Sequence, residues 1–391
     1  MSSAKISRFK GLNNVSDPLS IGLSWFTLAD NVDVTDTGAL SARRGFTRVG
    51  TSTPTSGYTT LDNKRTYLVA GGMINRFDAA MTLRAIQAIT SAAPMYFTEV
   101  NEQVFYSNGT DYGIINPDDS WRAWSWPNPD SPLLAYGGEG VLPAGQYQVL
   151  CTFLFNDGRE TGTSDPAFIQ LQTNSSLLLT GIPQVAGLRT VVYIASANSS
   201  TLQFAFEATS SAMTWNASPE QLGQDVVTME LAPVPVGSTI VQHWRGRIYA
   251  AQYMPAQDQT AVWASEALGF HLFQTNEQLT LVPGEVVMLA PHKDALVIGT
   301  RSTIYSFDEE EMKVLATYGA VPGHAWVRDG NDVLIWTERG LCSAIPFENK
   351  TDRQVSVPPG VLAGAALVER EGTKRFVVAL RKGGTAYNVR P

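Results

Sequence analysis

The feature that most restricts the fold of this chain is a hairpin pattern that recurs along it: a polar turn, an apolar strand, a turn of Gly or small residues, and a second strand. Six copies are recognisable. The first runs from Asn63 to Phe77, with Tyr67-Leu68-Val69 ahead of Gly71-Gly72 and Ile74, and the second from Asn101 to Ile115, with Val104-Phe105-Tyr106 ahead of Asn108-Gly109. The third starts at Arg245-Gly246-Arg247, and the fourth carries Lys293-Asp294 before Ala295-Leu296-Val297-Ile298. The fifth carries Asn331-Asp332 before Val333-Leu334-Ile335-Trp336, and the last carries Glu371-Gly372-Thr373 before Phe376 to Leu380, with Gly383-Gly384 ahead of Tyr387. Their strand centres, Tyr67, Phe105, Tyr249, Val297, Ile335 and Val378, lie 38 to 48 residues apart outside one long gap, the spacing of four-stranded propeller blades. One such blade cannot bury both of its faces, and stacking blades around an axis does so while limiting exposed strand edges. Unrelated hairpins in sandwiches produce similar local patterns. The even spacing favours an all-β propeller of about six blades, with five as the alternative.

The long gap holds a unit of its own, bounded by Trp126-Pro127-Asn128-Pro129-Asp130-Ser131-Pro132 and by Pro233-Val234-Pro235-Val236. Inside it, Gly145 to Phe155 reads as a strand turning at Asn156-Asp157-Gly158, and Leu188 to Ala195 as a later strand followed by Phe204-Ala205-Phe206. About 100 residues of short antiparallel strands predict a β-sandwich of the immunoglobulin or fibronectin type III kind. The domain plan is an extended mounting segment over 1–50, a first part of the propeller over 51–132, the inserted sandwich over 133–233 and a second part of the propeller over 234–391.

Composition narrows the function. Charged residues are 16% of the chain and hydrophobic ones 44%, which excludes a disordered chain. A net charge of -8 gives no overall basic surface for gripping nucleic acid. Cys151 and Cys342 each sit in an apolar run, which predicts buried free thiols rather than a disulfide. No segment reaches the ~18 apolar residues of a membrane span, so no membrane insertion is expected, and the reading is of a soluble protein made in a cytoplasm. The histidines His243, His271, His292 and His324 lack ligand spacing, and Gly137-Gly138-Glu139-Gly140 lacks the lysine and helix of a phosphate loop. Asp308-Glu309-Glu310-Glu311 reads as a solvated turn rather than a pair of hydrolytic carboxylates, and Asp33, Asp36, Asp118 and Asp119 do not match a calcium loop. No catalytic residue, cofactor site or metal site is assigned.

The N-terminal stretch Asn31 to Phe46 reads as a hairpin with a basic exit: Val32 and Val34 alternate with polar residues, Asp36-Thr37-Gly38 supplies a tight turn, and Leu40 starts the return. Arg43 and Arg44 follow. They are solvated side chains or, with Asn31 and Asp33, members of a subunit interface, where Arg suits bidentate contacts with carboxylates. Trp121, Trp124 and Trp126 form a candidate host-surface contact. On a strand, Trp124 and Trp126 share one face and Trp121 takes the other, which argues against a flat platform and for burial at a sheet edge or domain junction.

The run Phe9-Lys10-Gly11-Leu12-Asn13-Asn14, with Asp17-Pro18, Ala29-Asp30-Asn31-Val32-Asp33, Gly38-Ala39-Leu40 and Arg43-Arg44-Gly45-Phe46, resembles the N-termini of tailed-bacteriophage tail proteins of the nozzle or tail-tubular class, portal-proximal or at the tail tip. That resemblance implies a β-propeller with an inserted β domain, assembled in the host cytoplasm into a virion tail. It implies a structural ring, expected to be a hexamer, that meets the portal adaptor and other tail proteins and lets DNA pass during genome ejection without holding it. An acidic lumen repels phosphate and suits such passage. The alternatives are a tail-tip or receptor-binding adhesin and a polysaccharide-degrading propeller enzyme with convergent carboxylates on its inner strands.

Overall fold

The apolar runs singled out above are continuous rather than alternating, because the sheets that contain them are covered on both faces. The structure, a computed structural model, describes residues 8–382 apart from 36, 44, 46–52, 79, 81, 352 and 371–372. The protein is all-β; among the described residues its one helical element is a short 3-10 turn at Pro219–Gln221.

An extended arm comes first. It pairs β1 (Gly11–Leu12) in parallel with β2 (Trp25–Phe26), and β3 (Val32–Val34) with β4 (Leu40–Ala42) as a hairpin. Sheet I is a four-stranded antiparallel meander of β5 (Ser56–Thr59), β6 (Thr66–Ala70), β7 (Met73–Phe77) and β8 (Leu83–Ala88). Sheet II repeats it with β9 (Tyr96–Val100), β10 (Gln103–Ser107), β11 (Tyr112–Ile115) and β12 (Trp121–Arg122).

The inserted unit follows, with β13 (Leu133–Leu142), β14 (Gly145–Leu154), β15 (Ala167–Leu171), β16 (Ser175–Thr180), β17 (Arg189–Ala195), β18 (Leu202–Ala208) and β19 (Ala212–Trp215). Its sheets, in the orders β13-β16-β19 and β15-β14-β17-β18, share a core of Tyr147, Val149, Cys151, Leu177, Leu179, Val192, Ile194 and Trp215. The unit is a two-layered β-sandwich, and β13 and β14 lie in different sheets. Register shifts at Tyr136/Glu139 and Glu139/Leu142 bend β13, and Pro143 lacks an N–H to continue its ladder, so the chain crosses to the other layer there.

The meanders then resume. Sheet III is β20 (Ile240–Trp244), β21 (Arg247–Met254), β22 (Gln259–Ala264) and β23 (Leu279–Pro283); sheet IV is β24 (Val286–Pro291), β25 (Leu296–Thr300), β26 (Ile304–Phe307) and β27 (Met312–Ala316). After β28 (Gly323–His324) comes sheet V, with β29 (Trp326–Asp329), β30 (Asp332–Thr337), β31 (Gly340–Ser343) and β32 (Glu348–Asn349). Sheet VI has three strands: β28 runs parallel to β33 (Leu362–Arg370), which pairs antiparallel with β34 (Thr373–Arg381). The strand centres Tyr67, Phe105, Tyr249, Val297 and Ile335 fall on the second strands of sheets I to V, and Val378 falls on β34. The strand expected after Gly383-Gly384 lies outside the described residues. The turn at Arg245-Gly246, with φ 46° and 76°, has the positive values that a two-residue hairpin needs to match strand twist.

Successive sheets pack face to face through alternating side chains. On β10, Val104 and Tyr106 join Tyr67, Val69 and Ile74 of sheet I, while Phe105 points the other way to Val241, Ile248 and Phe273. On β25, Leu296 and Ile298 face Trp244, Tyr249 and Val262, while Val297 faces Val333 and Ile335. Trp336 meets Ala363, Phe376, Val378 and Leu380 between sheets V and VI. Among the described residues no comparable apolar cluster joins sheets VI and I. First strands of neighbouring sheets also touch, β9 with β20 and β20 with β24, while β29 of sheet V touches β33, the middle strand of sheet VI.

Two junctions carry the same polar clamp. Arg65, just before β6, donates to the Asn116 and Glu102 carbonyls of sheet II at 3.3 and 2.6 Å. Arg245, just before β21, donates to the Asp308 and Asp294 carbonyls on the sheet IV side at 3.3 and 3.2 Å. Beside each, a buried tyrosine donates to an acid in the next sheet's turn, Tyr67 to Asp119 at 2.7 Å and Tyr249 to Glu309 at 3.0 Å.

Candidate functional site

The arm is bound to the far end of its own chain. Asn14 donates to the Ser356 carbonyl at 2.8 Å, accepts from the Ser356 N–H at 2.8 Å, and its own N–H reaches the Gln354 carbonyl at 2.9 Å. Asp33 accepts from Arg43 at 3.2 Å and from Arg375 on β34 at 2.7 Å. Asn31, at φ 53°, accepts the Arg43 N–H at 2.8 Å. The structure therefore gathers three of the four residues singled out for a subunit contact, Asn31, Asp33 and Arg43, on one hairpin, with Asp33 and Arg43 paired inside the chain; Arg44 lies outside the described residues. Asn14, Ser356 and Arg375 were not assigned this role from the sequence. Asn13-Asn14 was visible as a motif, but no local pattern names a partner 342 residues away.

Several large apolar side chains of the arm stand in solvent. Leu19 is 95% exposed and Leu28 81%, with Leu23 and Val15 also open to solvent. Between Gly11 and Ala42 the charged residues are Asp17, Asp30, Asp33 and Asp36, with no cation. Isolated exposed leucines are ordinary, but three of them stand within ten residues of an arm that is pinned in place by Asn14 and Asp33.

The second feature is a groove between sheets I and VI, with a volume of about 710 Å³. Gly57 and Leu68 line one wall, Leu362, Gly364, Ala379 and Leu380 the other, and Tyr96 and His324 lie deeper. Arg301, Arg381 and Lys382 border an adjoining hollow; Arg301 is held by Glu285 at 3.1 Å.

The tryptophans separate. β12 ends at Arg122, so strand alternation does not extend to Trp124 and Trp126. Trp124 is fully buried, edge-on to Phe105 and Phe273, and its indole N–H donates to the Phe270 carbonyl at 2.7 Å. It is no surface contact, because its ring fills the junction between sheets II and III. Trp121 is partly exposed and donates to the Tyr106 hydroxyl, and Trp126 is partly exposed.

The acidic run is a turn, with Asp308 accepting the Glu310 and Glu311 N–H groups at 3.2 and 2.8 Å. Both cysteines are buried and neither is in a disulfide, and burial pushes the Cys151 thiol up to about 12. Among the described residues no three of His, Cys, Asp and Glu converge as metal ligands.

His271 sits at the joint between the body and the inserted unit, where its ring donates to the Glu160 carbonyl at 3.0 Å. Burial, and then the charge of Arg159, hold its imidazole down at about 4, against an ordinary 6.5. Burial lowers His243 and His324 as well. The unfolded chain thus binds protons that the folded chain refuses. The stability tied to the neutral rings is whole above pH 6.5 and is lost as the pH falls toward 4. The urea midpoint is expected to fall over that window, and His271→Gln, which keeps a donor for Glu160 without titrating, to flatten part of the fall. An unchanged pH profile in that variant would count against this account.

No family model and no curated protein matches the chain. Solved structures give distant likenesses. The extracellular domain of a hybrid two-component system from B. thetaiotaomicron matches at 10% identity and TM-score 0.30, over 77% of this chain and 32% of its own length. A 6-phosphogluconolactonase-like protein from Bacteroides uniformis matches at 10% identity and TM-score 0.31, over 83% and 88%. Porphyromonas gingivalis dipeptidyl peptidase 4 matches at 8% identity and TM-score 0.30, over 79% and 47%. Likeness at that level says nothing of activity, substrate or partner.

Proposed function

We propose that this chain is a structural subunit of a bacteriophage tail, a six-bladed propeller of the nozzle or tail-tubular kind that assembles with copies of itself into a ring for DNA passage. Sheets I to VI are the blades in this reading, with their first strands innermost, and the two-layer insertion is a lobe for contact with neighbouring tail proteins. One observation carries the proposal: an arm fixed to its own chain by Asn14 and Asp33 holds Leu19, Leu23 and Leu28 in solvent, uncovered by any of the described residues. The net charge of -8 supports a conduit, since a ring multiplies a field that repels phosphate. The inner-strand acids Glu99 and Asp329 are paired with Arg65 and Lys374, which speaks against a hydrolytic pair there.

Mass photometry and negative-stain imaging of the purified full chain, alone and with its portal adaptor, test the reading. A closed ring of six copies is expected. Leu19→Asp, Leu23→Asp and Leu28→Asp combined should give a folded monomer, because each leucine buried at an interface contributes about 1.5–3 kcal/mol. A wild-type chain that stays monomeric even with the adaptor present overturns the proposal.

A further inference from the structure

We infer that the groove between sheets I and VI receives the N-terminal arm of a second copy of this chain, with Leu19, Leu23 and Leu28 seated against Gly57, Leu68, Leu362, Ala379 and Leu380. The inference rests on the self-assembly reading and names the surface which that reading leaves open. Among the described residues two apolar surfaces stand unmatched, an arm with exposed leucines and a concave groove. The arm does not fill its own groove: the contacts of Asn14 and Asp33 fix it while its leucines remain in solvent.

Charge points the same way. Beside the leucines the arm carries Asp17 and Asp30, Asp33 being already paired with Arg43 and Arg375, and the groove's border carries Arg381 and Lys382. An arm on one copy and a groove on the next form a heterologous contact, which closes into a ring when the rotation permits. Other walls between adjacent sheets are already filled by side chains of the same chain, such as Tyr67 against Tyr106 and Val297 against Ile335. The groove is the place where a neighbour's side chains find both apolar walls and an opposite charge.

The test uses full-length chains with single added cysteines, since Cys151 and Cys342 are buried. Chains carrying Leu23→Cys are mixed with chains carrying Ala379→Cys under mild oxidation, and Leu68→Cys serves as a receiver on the opposite wall should Ala379→Cys not fold. Disulfide dimers containing one chain of each kind are expected from the mixtures and not from either chain alone. Arg381→Glu with Lys382→Glu should lower their yield about tenfold. Crosslinking confined to one chain in the Leu23→Cys, Ala379→Cys double variant means that the arm fills its own groove, and overturns the proposal. Rings without mixed dimers overturn it too, and leave the self-assembly reading standing. A chain that is monomeric at every concentration overturns both.

Discussion

Trp124→Ala is expected to lower the stability of the full chain by about 3–5 kcal/mol, read as a shift of the urea midpoint. The indole is wholly enclosed, with its ring 5.4 Å from Phe105 and 6.1 Å from Phe273 between centroids. Its removal leaves a cavity between sheets II and III and takes the donor from the Phe270 carbonyl. The position also controls the inserted unit, because Arg159 donates to the carbonyls of Trp124 and Ala123 at 2.5 and 2.9 Å. Loss of the ring should therefore loosen that joint and speed proteolysis in the linker 127–132. Trp121→Ala, which removes a half-exposed ring and one hydrogen bond to Tyr106, should cost about 1 kcal/mol. Equal effects from the two substitutions would refute the assignment of Trp124 to the core.

The second large effect is expected at Asp119. Its carboxylate, little exposed, accepts from the Tyr67 hydroxyl, lies 3.6 Å from Arg76 and is bonded to Arg84. Asp119→Ala leaves a buried hydroxyl and a half-enclosed guanidinium without their anion, a loss of about 3–5 kcal/mol. Part of any loss comes from the backbone, since Asp119 has φ 66°. Asp119→Gly separates the two terms, as glycine takes that conformation freely. If the glycine variant melts with the wild type, the carboxylate contributes little and the prediction fails. The equivalent acid in the other clamp, Glu309, is more exposed, so Glu309→Ala should cost about 1 kcal/mol.

These clamps show where the sequence was readable. The first five recurring hairpins each fall in a separate sheet, as does the Phe376 to Leu380 strand of the sixth, because turn chemistry at places such as Arg245-Gly246 and apolar runs such as Leu296 to Ile298 are local signals. The N-terminal hairpin of Val32–Val34 with Leu40–Ala42 was visible for the same reason. The layer change after β13 was not, since bulges at Glu139 leave no mark in an alternation already broken by Gly137 and Gly138. The tryptophan pattern misled because periodicity applies only while the strand lasts, and β12 ends at Arg122. Neither Asn14 with Ser356 nor Asp33 with Arg375 was legible, as both join residues 342 positions apart. The groove was hidden for a related reason: its walls come from the first and last sheets, and no window of sequence contains both.

Five junctions between neighbouring sheets are held by apolar side chains, whereas the arm is tied to β34 and to the loop before sheet VI through hydrogen bonds and the ion pairs of Asp33. The two kinds of joint answer to different variables. Apolar contacts weaken on cooling, whereas partly exposed ion pairs weaken as salt screens them. Cold should therefore loosen the seams between sheets, while salt should loosen the grip of the arm on the C-terminal strands.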